Sequence, residues 1–328
     1  MKWGLAVGIV VLVMSAQSVW ADVEFLWATD GIATGSSTLY MINPTNGEIL
    51  RTVGVTGANT ISGLAIQPGT GTLYASQGQT GNRSLFKIDK TTGIATAVGT
   101  IGQAISDTAF RSDGTLYAWG ASSKKLYTIN LASGTPTQLG NTTLSTIGGV
   151  GLTFGVNGVL YLTRSNSFIT VNTSNGTIAS GPVTITGGNV FNMLTTSSTG
   201  VIYAAGRNFQ SPPTKIYTLN VSTGALTLVS QLSGMALSSI ACDTAPTPTL
   251  AVTGKKKITT TRPTITLKGT ATSTLPLTIT VKGKTTSPSG GAWSLKMKLK
   301  RGKNIFIVSG SDALGQSASG GRVTVIRK

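Results

Sequence analysis

From Val23 onward the chain alternates short apolar runs with Gly, Asn, Asp, Thr and Ser, the pattern of short strands joined by tight turns. The runs repeat. An apolar–aromatic–small strand occurs five times: Leu26-Trp27-Ala28, Leu73-Tyr74-Ala75, Leu116-Tyr117-Ala118, Leu160-Tyr161-Leu162 and Ile202-Tyr203-Ala204. Each is followed by a strand ending in Asn or Asp with Gly four residues later, at Asn43/Gly47, Asp89/Gly93, Asn130/Gly134, Asn172/Gly176 and Asn220/Gly224. Those glycines are 46, 41, 42 and 48 residues apart. A third strand follows each Gly, and a fourth precedes the next copy, at 61–66, 105–110, 150–154, 191–195 and finally 237–242. Four short strands in a period of about 44 residues fit a β-propeller blade. Residues 22–243 are therefore predicted to form five four-stranded blades. The region begins on an aromatic strand with no inner strand before it. It ends on an inner strand with no blade behind it. Pairing the two closes the ring and removes an exposed sheet edge.

The repeated positions have physical roles. Asn43, Asp89, Asn130, Asn172 and Asn220 are expected to accept backbone N–H groups in Asx turns. The matched Gly supplies the positive φ that the hairpin needs. Trp27, Tyr74, Tyr117, Tyr161 and Tyr203 recur once per blade, which assigns them to blade-to-blade packing rather than to a sugar platform. Through its Gly-x-Leu-Tyr-Ala and Leu-Tyr-x-Ile-Asn-x-x-x-Gly copies, about two-thirds of the chain resembles secreted bacterial propellers of the YVTN/NHL/quinoprotein-like group. That resemblance implies a fold and no particular activity, because propellers host many.

After Thr244–Pro248, read as a stiff linker, the pattern changes to strict alternation. Ile265/Leu267, Leu277/Ile279/Val281, Trp293/Leu295/Met297/Leu299, Ile305/Ile307 and Val323/Val325 predict an antiparallel β-sandwich over 249–328. Gly291-Ala-Trp293, Leu299, Gly302-Lys303-Asn304, Ile307, Asp312 and Gly315 make this region similar to bacterial Ig-like domains, including the glucodextranase type. The resemblance implies a spacer or attachment module with no catalytic residue.

Charge divides the two regions. Residues 246–328 hold fifteen Lys and Arg against one acid, Asp312, whereas residues 22–243 hold ten against eight. The candidate polyanion-binding residues are Lys255, Lys256, Lys257, Lys282, Lys284, Lys296, Lys298 and Lys300. Lys296, Lys298 and Lys300 share one strand face, and Lys282 and Lys284 show the same parity. One explanation is a solvated face guarded against edge pairing. The other is attachment to an anionic polymer such as cell-surface polysaccharide, lipopolysaccharide phosphates or extracellular nucleic acid. Few aromatics accompany the lysines, which disfavours base stacking and sequence-specific nucleic-acid recognition.

Other chemistry is sparse. The absence of His removes imidazole bases and imidazole metal ligands. A single Cys excludes an intrachain disulfide. Cys242 lies in an apolar run and is expected to be a buried, unreactive thiol. Glycosidase chemistry needs two carboxylates about 5–10 Å apart. Only Asp107 lies early in an inner strand, as a candidate channel residue; its counterparts are Gly63, Gly151, Met193 and Ser239. No metal cluster or cofactor site is expected.

Residues 1–21 read as a signal peptide, with Lys2 before a 12-residue apolar stretch and Val19 and Ala21 at −3 and −1. That stretch is shorter than the 18 or so residues of a membrane span, and no later segment is long enough. The expectation is a secreted, periplasmic or cell-surface protein without catalysis. Its propeller would offer a platform for a ligand or protein partner, and its basic Ig-like domain would attach to anionic polymer. The alternative is a secreted carbohydrate-active lyase or hydrolase.

Overall fold

A computed structural model describes residues 23–31, 35–78, 83–140, 150–164, 166–186, 191–206 and 213–328. The expected signal peptide and its cleavage site lie outside the described residues. Among them, all regular structure is β.

The first sheet contains β1 (Val23–Asp30), β2 (Ser36–Ile42) and β3 (Ile49–Asn59). The second contains β4 (Ile61–Ile66), β5 (Leu73–Gln77), β6 (Ser84–Ile88) and β7 (Ala95–Thr100). The third contains β8 (Ile105–Phe110), β9 (Leu116–Gly120), β10 (Leu126–Ile129) and β11 (Pro136–Leu139). The fourth contains β12 (Leu152–Phe154), β13 (Leu160–Arg164), β14 (Ser167–Val171) and β15 (Ile178–Thr184). The fifth contains β16 (Phe191–Thr196), β17 (Ile202–Gly206), β18 (Thr214–Leu219) and β19 (Leu226–Leu232). β20 (Leu237–Ala245) returns to the first sheet, whose order is β20-β1-β2-β3. It pairs antiparallel with β1 from Val23↔Ala245 to Asp30↔Leu237. Five four-stranded antiparallel meanders result, the form of propeller blades.

The apolar residues are buried between sheets. Phe25, Trp27 and Met41 of the first sheet pack with Leu64 and Leu73 of the second. Similar clusters join the second to the third, the third to the fourth and the fourth to the fifth. A further cluster joins Met193, Tyr203 and Ile216 of the fifth sheet to Leu26, Ile42 and Ile240 of the first. All five repeated aromatics are buried. Tyr74 meets Phe110 of the next sheet edge-on at 5.6 Å, and Tyr117 meets Phe154 at 5.1 Å.

The repeated Asx residues make the expected turns. Asn43, Asp89, Asn130, Asn172 and Asn220 each accept, through Oδ1, the N–H two residues on, at 2.7–2.9 Å. The matched glycines have φ of +69° to +84°. They also have a second duty, set by packing. A Cβ on Gly93 would lie 2.8 Å from the Gly54 carbonyl oxygen of the preceding sheet, and one on Gly47 would lie 2.7 Å from Ser230 Cβ in the fifth sheet. The turn Gly is thus where neighbouring sheets touch, backbone to backbone at Gly93, Gly134, Gly176 and Gly224 and against the Ser230 side chain at Gly47.

β20 runs to Ala245, so the first two residues of the expected linker continue a strand; Pro246, Thr247 and Pro248 lie between it and β21 (Thr249–Val252). The remaining strands are β22 (Lys257–Thr260), β23 (Thr264–Thr272), β24 (Leu277–Val281), β25 (Lys284–Thr286), β26 (Ala292–Lys298), β27 (Gly302–Asp312) and β28 (Ser317–Arg327). They form a sheet of order β21-β23-β26 and another of order β22-β28-β27-β24-β25. Both bury a shared core that includes Leu267, Ile279, Trp293, Phe306 and Val325. Three expectations need correction. β22 pairs with β28 in parallel, so the region is not purely antiparallel. Ile305 and Ile307 point outward, Ile307 being 67 % exposed, while Phe306 and Val308 are buried. Both parities of Ile305–Val308 are apolar, so alternation alone could not select the inner face, and the large ring of Phe306 takes it. Lys282 and Lys284 do not share a strand, because Lys282 (φ +50°) and Gly283 (φ +77°) form the β24–β25 turn.

Candidate functional site

The first strands of successive sheets pack in the order β4, β8, β12, β16, β20 and back to β4. A cavity of about 110 Å3 lies among them, lined in part by Thr108, Phe110, Thr153, Thr195, Thr196 and Cys242. It is well below the roughly 300–1,000 Å3 of small-molecule sites. Its hydroxyls are engaged locally. Thr153 and Thr196 share a hydrogen bond of 2.9 Å, and Thr195 Oγ1 accepts the Cys242 N–H at 2.8 Å. Cys242 is half-buried rather than buried as expected, because β20 presents it to this cavity. Its thiol is pushed up by burial, and then by the charges of Glu24 and Asp243, so it remains protonated at neutral pH.

Asp107 sits beside this cavity and is 1 % exposed. Its Oδ2 accepts the N–H of Leu152 at 2.9 Å and of Leu194 at 3.2 Å, and its Oδ1 accepts the Thr108 N–H at 2.8 Å. Leu152 and Leu194 lie on the inner edge strands β12 and β16 of two other sheets, whose outward donors have no strand to pair with. Burial raises the carboxyl pKa well above the ordinary value against the opposing effect of these three bonds. The geometry makes Asp107 a tie between three sheets rather than a group offered to a channel. The glycine counterparts show how tight this level is: a Cβ on Gly63 would lie 2.8 Å from the Thr108 nitrogen, and one on Gly151 would lie 3.0 Å from the Leu194 nitrogen.

A larger cleft of about 610 Å3 opens where the β2–β3 turn, the β16–β17 turn and the β27–β28 turn meet. Glu24, Asn43, Asn46, Glu48, Tyr203 and Leu314 are among its lining residues. Glu24 accepts the Ser198 hydroxyl at 2.8 Å. Burial pushes the Tyr203 hydroxyl up to about 12, assisted by the Cys242 and Glu24 charges. Leu275 and Leu314 pack on the first-sheet core beside this cleft, and Gln316 Nε2 donates to the Ala245 carbonyl at 3.2 Å. Nothing in the sequence brought Glu24 and Glu48 together, because turns from three separate regions form the cleft.

The candidate lysines lie chiefly along sheet edges. Lys255 and Lys256 lead into edge strand β22, which Lys257 begins; Lys284 opens edge strand β25; Lys296 and Lys298 lie on edge strand β26, and Lys300 follows it. All of these are exposed, and each strand edge they occupy is discouraged from adding a further strand. Lys284 Nζ donates to the Lys296 carbonyl at 3.2 Å, and Lys282 stands 5.5 Å over the Phe306 ring. Lys268, opposite Ser294 in the register, is also exposed and was missed because it stands alone in its strand. Among the described residues, no group of three metal-ligating side chains occurs and no helix is long and apolar enough to cross a membrane.

No protein-family model and no curated protein matches the chain. Among solved structures it is similar to a chain of the nidogen/laminin complex, at 12 % identity and a TM-score of 0.47, over 67 % of this chain and 98 % of that one. It is similar to a protein of unknown function from Bacteroides thetaiotaomicron VPI-5482, at 16 % identity and a TM-score of 0.43, over 64 % of this chain and 58 % of that one. TolB from Acinetobacter baumannii follows, at 16 % identity and a TM-score of 0.44, over 83 % of this chain and 65 % of that one. The chain spans less than two thirds of the length of these last two. None of the three is similar enough to transfer a function.

Proposed function

We propose that the protein is an exported, non-catalytic binding protein: a closed five-bladed propeller displayed by a basic Ig-like sandwich that attaches to an anionic polymer at the cell surface. The observation that carries this reading is the charge division, fifteen cations against one acid over residues 246–328. That excess is far beyond what solubility requires of a small domain. Five meanders with successive apolar cores, the last joining β16–β19 to the first sheet, support the blade count and the closure. The small uncharged central cavity supports a propeller that acts through its surface, where a protein partner or ligand would bind.

The test uses the full chain on immobilised heparin. Replacing Lys255, Lys256, Lys257, Lys282, Lys284, Lys296, Lys298 and Lys300 with Gln should weaken retention at 0.1 M salt, where the screening length is about 10 Å. Unchanged retention removes the reading.

A second reading, a glycan hydrolase, draws on the 610 Å3 cleft with Glu24 and Glu48 in its wall. Release of reducing sugar from a polysaccharide panel that disappears in both Glu24→Gln and Glu48→Gln supports it; no release with the wild-type chain eliminates it.

A further inference from the structure

One end of the sandwich gathers a cluster of cations, half of them in turns and half at the ends of strands. β23 begins where β26 ends, with Thr264 opposite Lys298. The Leu299 N–H donates to the Pro263 carbonyl at 2.9 Å, which places Arg262 beside the β26–β27 turn. β28 ends at the same place: Arg327 is opposite both Gly302 and Thr260, and its Nη1 donates to the Leu299 carbonyl at 3.0 Å. Arg262, Lys298, Lys300, Arg301, Lys303 and Arg327 therefore gather around three strand ends. All but Arg327 are exposed.

This end is firmly held. Asn304 is buried, and its Oδ1 accepts the Lys300 N–H at 3.0 Å. Its Nδ2 donates to the carbonyls of Lys300 at 2.8 Å and Gly302 at 3.0 Å. One amide thus fixes the turn that presents Lys300, Arg301 and Lys303. The only acid of the region, Asp312, is at the other end of β27, eleven residues long, or about 34 Å away at 3.3–3.4 Å per residue. That opposite end faces the first sheet through Leu275, Leu314 and Gln316.

We propose that the end formed by the β22–β23 turn, the β26–β27 turn and the end of β28 is the docking point for an anionic polysaccharide, bound through its sulfate or phosphate groups. The inference rests on the polyanion reading above and moves the contact from the strand edges to this end. Arginine and lysine donors on a fixed turn suit tetrahedral oxyanions. The turns contain no exposed aromatic or long aliphatic residue. They lack the apolar anchor of a membrane-inserting loop and the stacking platform of a single-strand binder. A polyhydroxylated anionic chain needs neither.

Two charge-matched variants of the full chain test the proposal against heparin. The end variant carries Lys300→Gln, Arg301→Gln and Lys303→Gln. The middle variant carries Lys256→Gln, Lys268→Gln and Arg322→Gln, exposed residues away from that end. Unchanged melting temperatures establish that both fold. The end variant should bind at least about tenfold more weakly and the middle variant less than about threefold. Equal losses would overturn the docking point while leaving the polyanion reading intact. No binding by the wild-type chain would overturn both. Tighter binding to vesicles of anionic phospholipid than to heparin, lost in the end variant, would reassign the partner and overturn the choice of polysaccharide.

Discussion

The carboxyl group of Asp107 accepts the backbone N–H of Leu194 across 87 residues of sequence, tying the third sheet to the fifth. The same oxygen takes the Leu152 N–H, so one atom serves two strands that belong to other sheets. Asp107→Ala leaves both donors buried and unpaired, at about 1–3 kcal/mol each. Chemical denaturation should show a loss of about 2–5 kcal/mol.

The same residue makes a pH prediction. Its pKa is raised in the folded state, so it holds its proton more tightly there than in the unfolded chain. Its contribution to stability is full below the unfolded value near 3.9 and falls as pH rises toward the folded value. Asp107→Asn removes this dependence. The variant's unfolding free energy should therefore decline less between pH 4 and pH 7 than that of the wild type, measured in matched buffers. A parallel decline in both would show that Asp107 does not titrate in that range.

Two glycine substitutions separate conformation from contact. Gly69 (φ +78°) has nothing within 4 Å of a built Cβ, so Gly69→Ala should cost about 1–2 kcal/mol from backbone strain alone. Gly93 (φ +84°) presses on the Gly54 backbone, and Gly93→Ala should cost more because two sheets must separate. Equal losses in urea melts would remove the contact role.

Ring closure is tested by length. A chain ending at Ala245 keeps β20 on β1; one ending at Met235 leaves the inner edge of β1 bare. The shorter chain should aggregate or lose cooperative unfolding, and the longer one should melt in a single transition.

Cys242 should resist alkylation. With its thiol raised by burial and by the Glu24 charge, labelling by iodoacetamide at pH 8 should be far slower in the native protein than in denaturant. Mass spectrometry of timed samples checks it.

The strand pattern was legible because it depends on local chemistry. An Asx residue and a Gly four positions later determine a turn whatever surrounds them, and the repeat spacing does the rest. The packing duties were not. Gly93 meets Gly54, and Asp107 meets Leu194, only after distant segments assemble. Alternation failed at Ile305–Val308, where both faces are apolar and burial depends on what the opposite sheet offers. It also failed at Lys282, where equal parity disguised a turn. The charged end stayed hidden for the same reason as the acidic cleft: Arg262, Arg301 and Arg327 are far apart in sequence and meet only where three strands stop.

The position of Asp312 has an electrostatic consequence. With the only acidic side chain of 249–328 at the propeller end of β27 and six cationic side chains gathered at the far end, the sandwich has a charge moment along its length. Such a body feels a torque as well as a pull in an external field. Near any negatively charged layer it rotates before it touches, leading with the β26–β27 turn and trailing the propeller. Orientation is then set during approach, and the propeller faces the medium from the first collision.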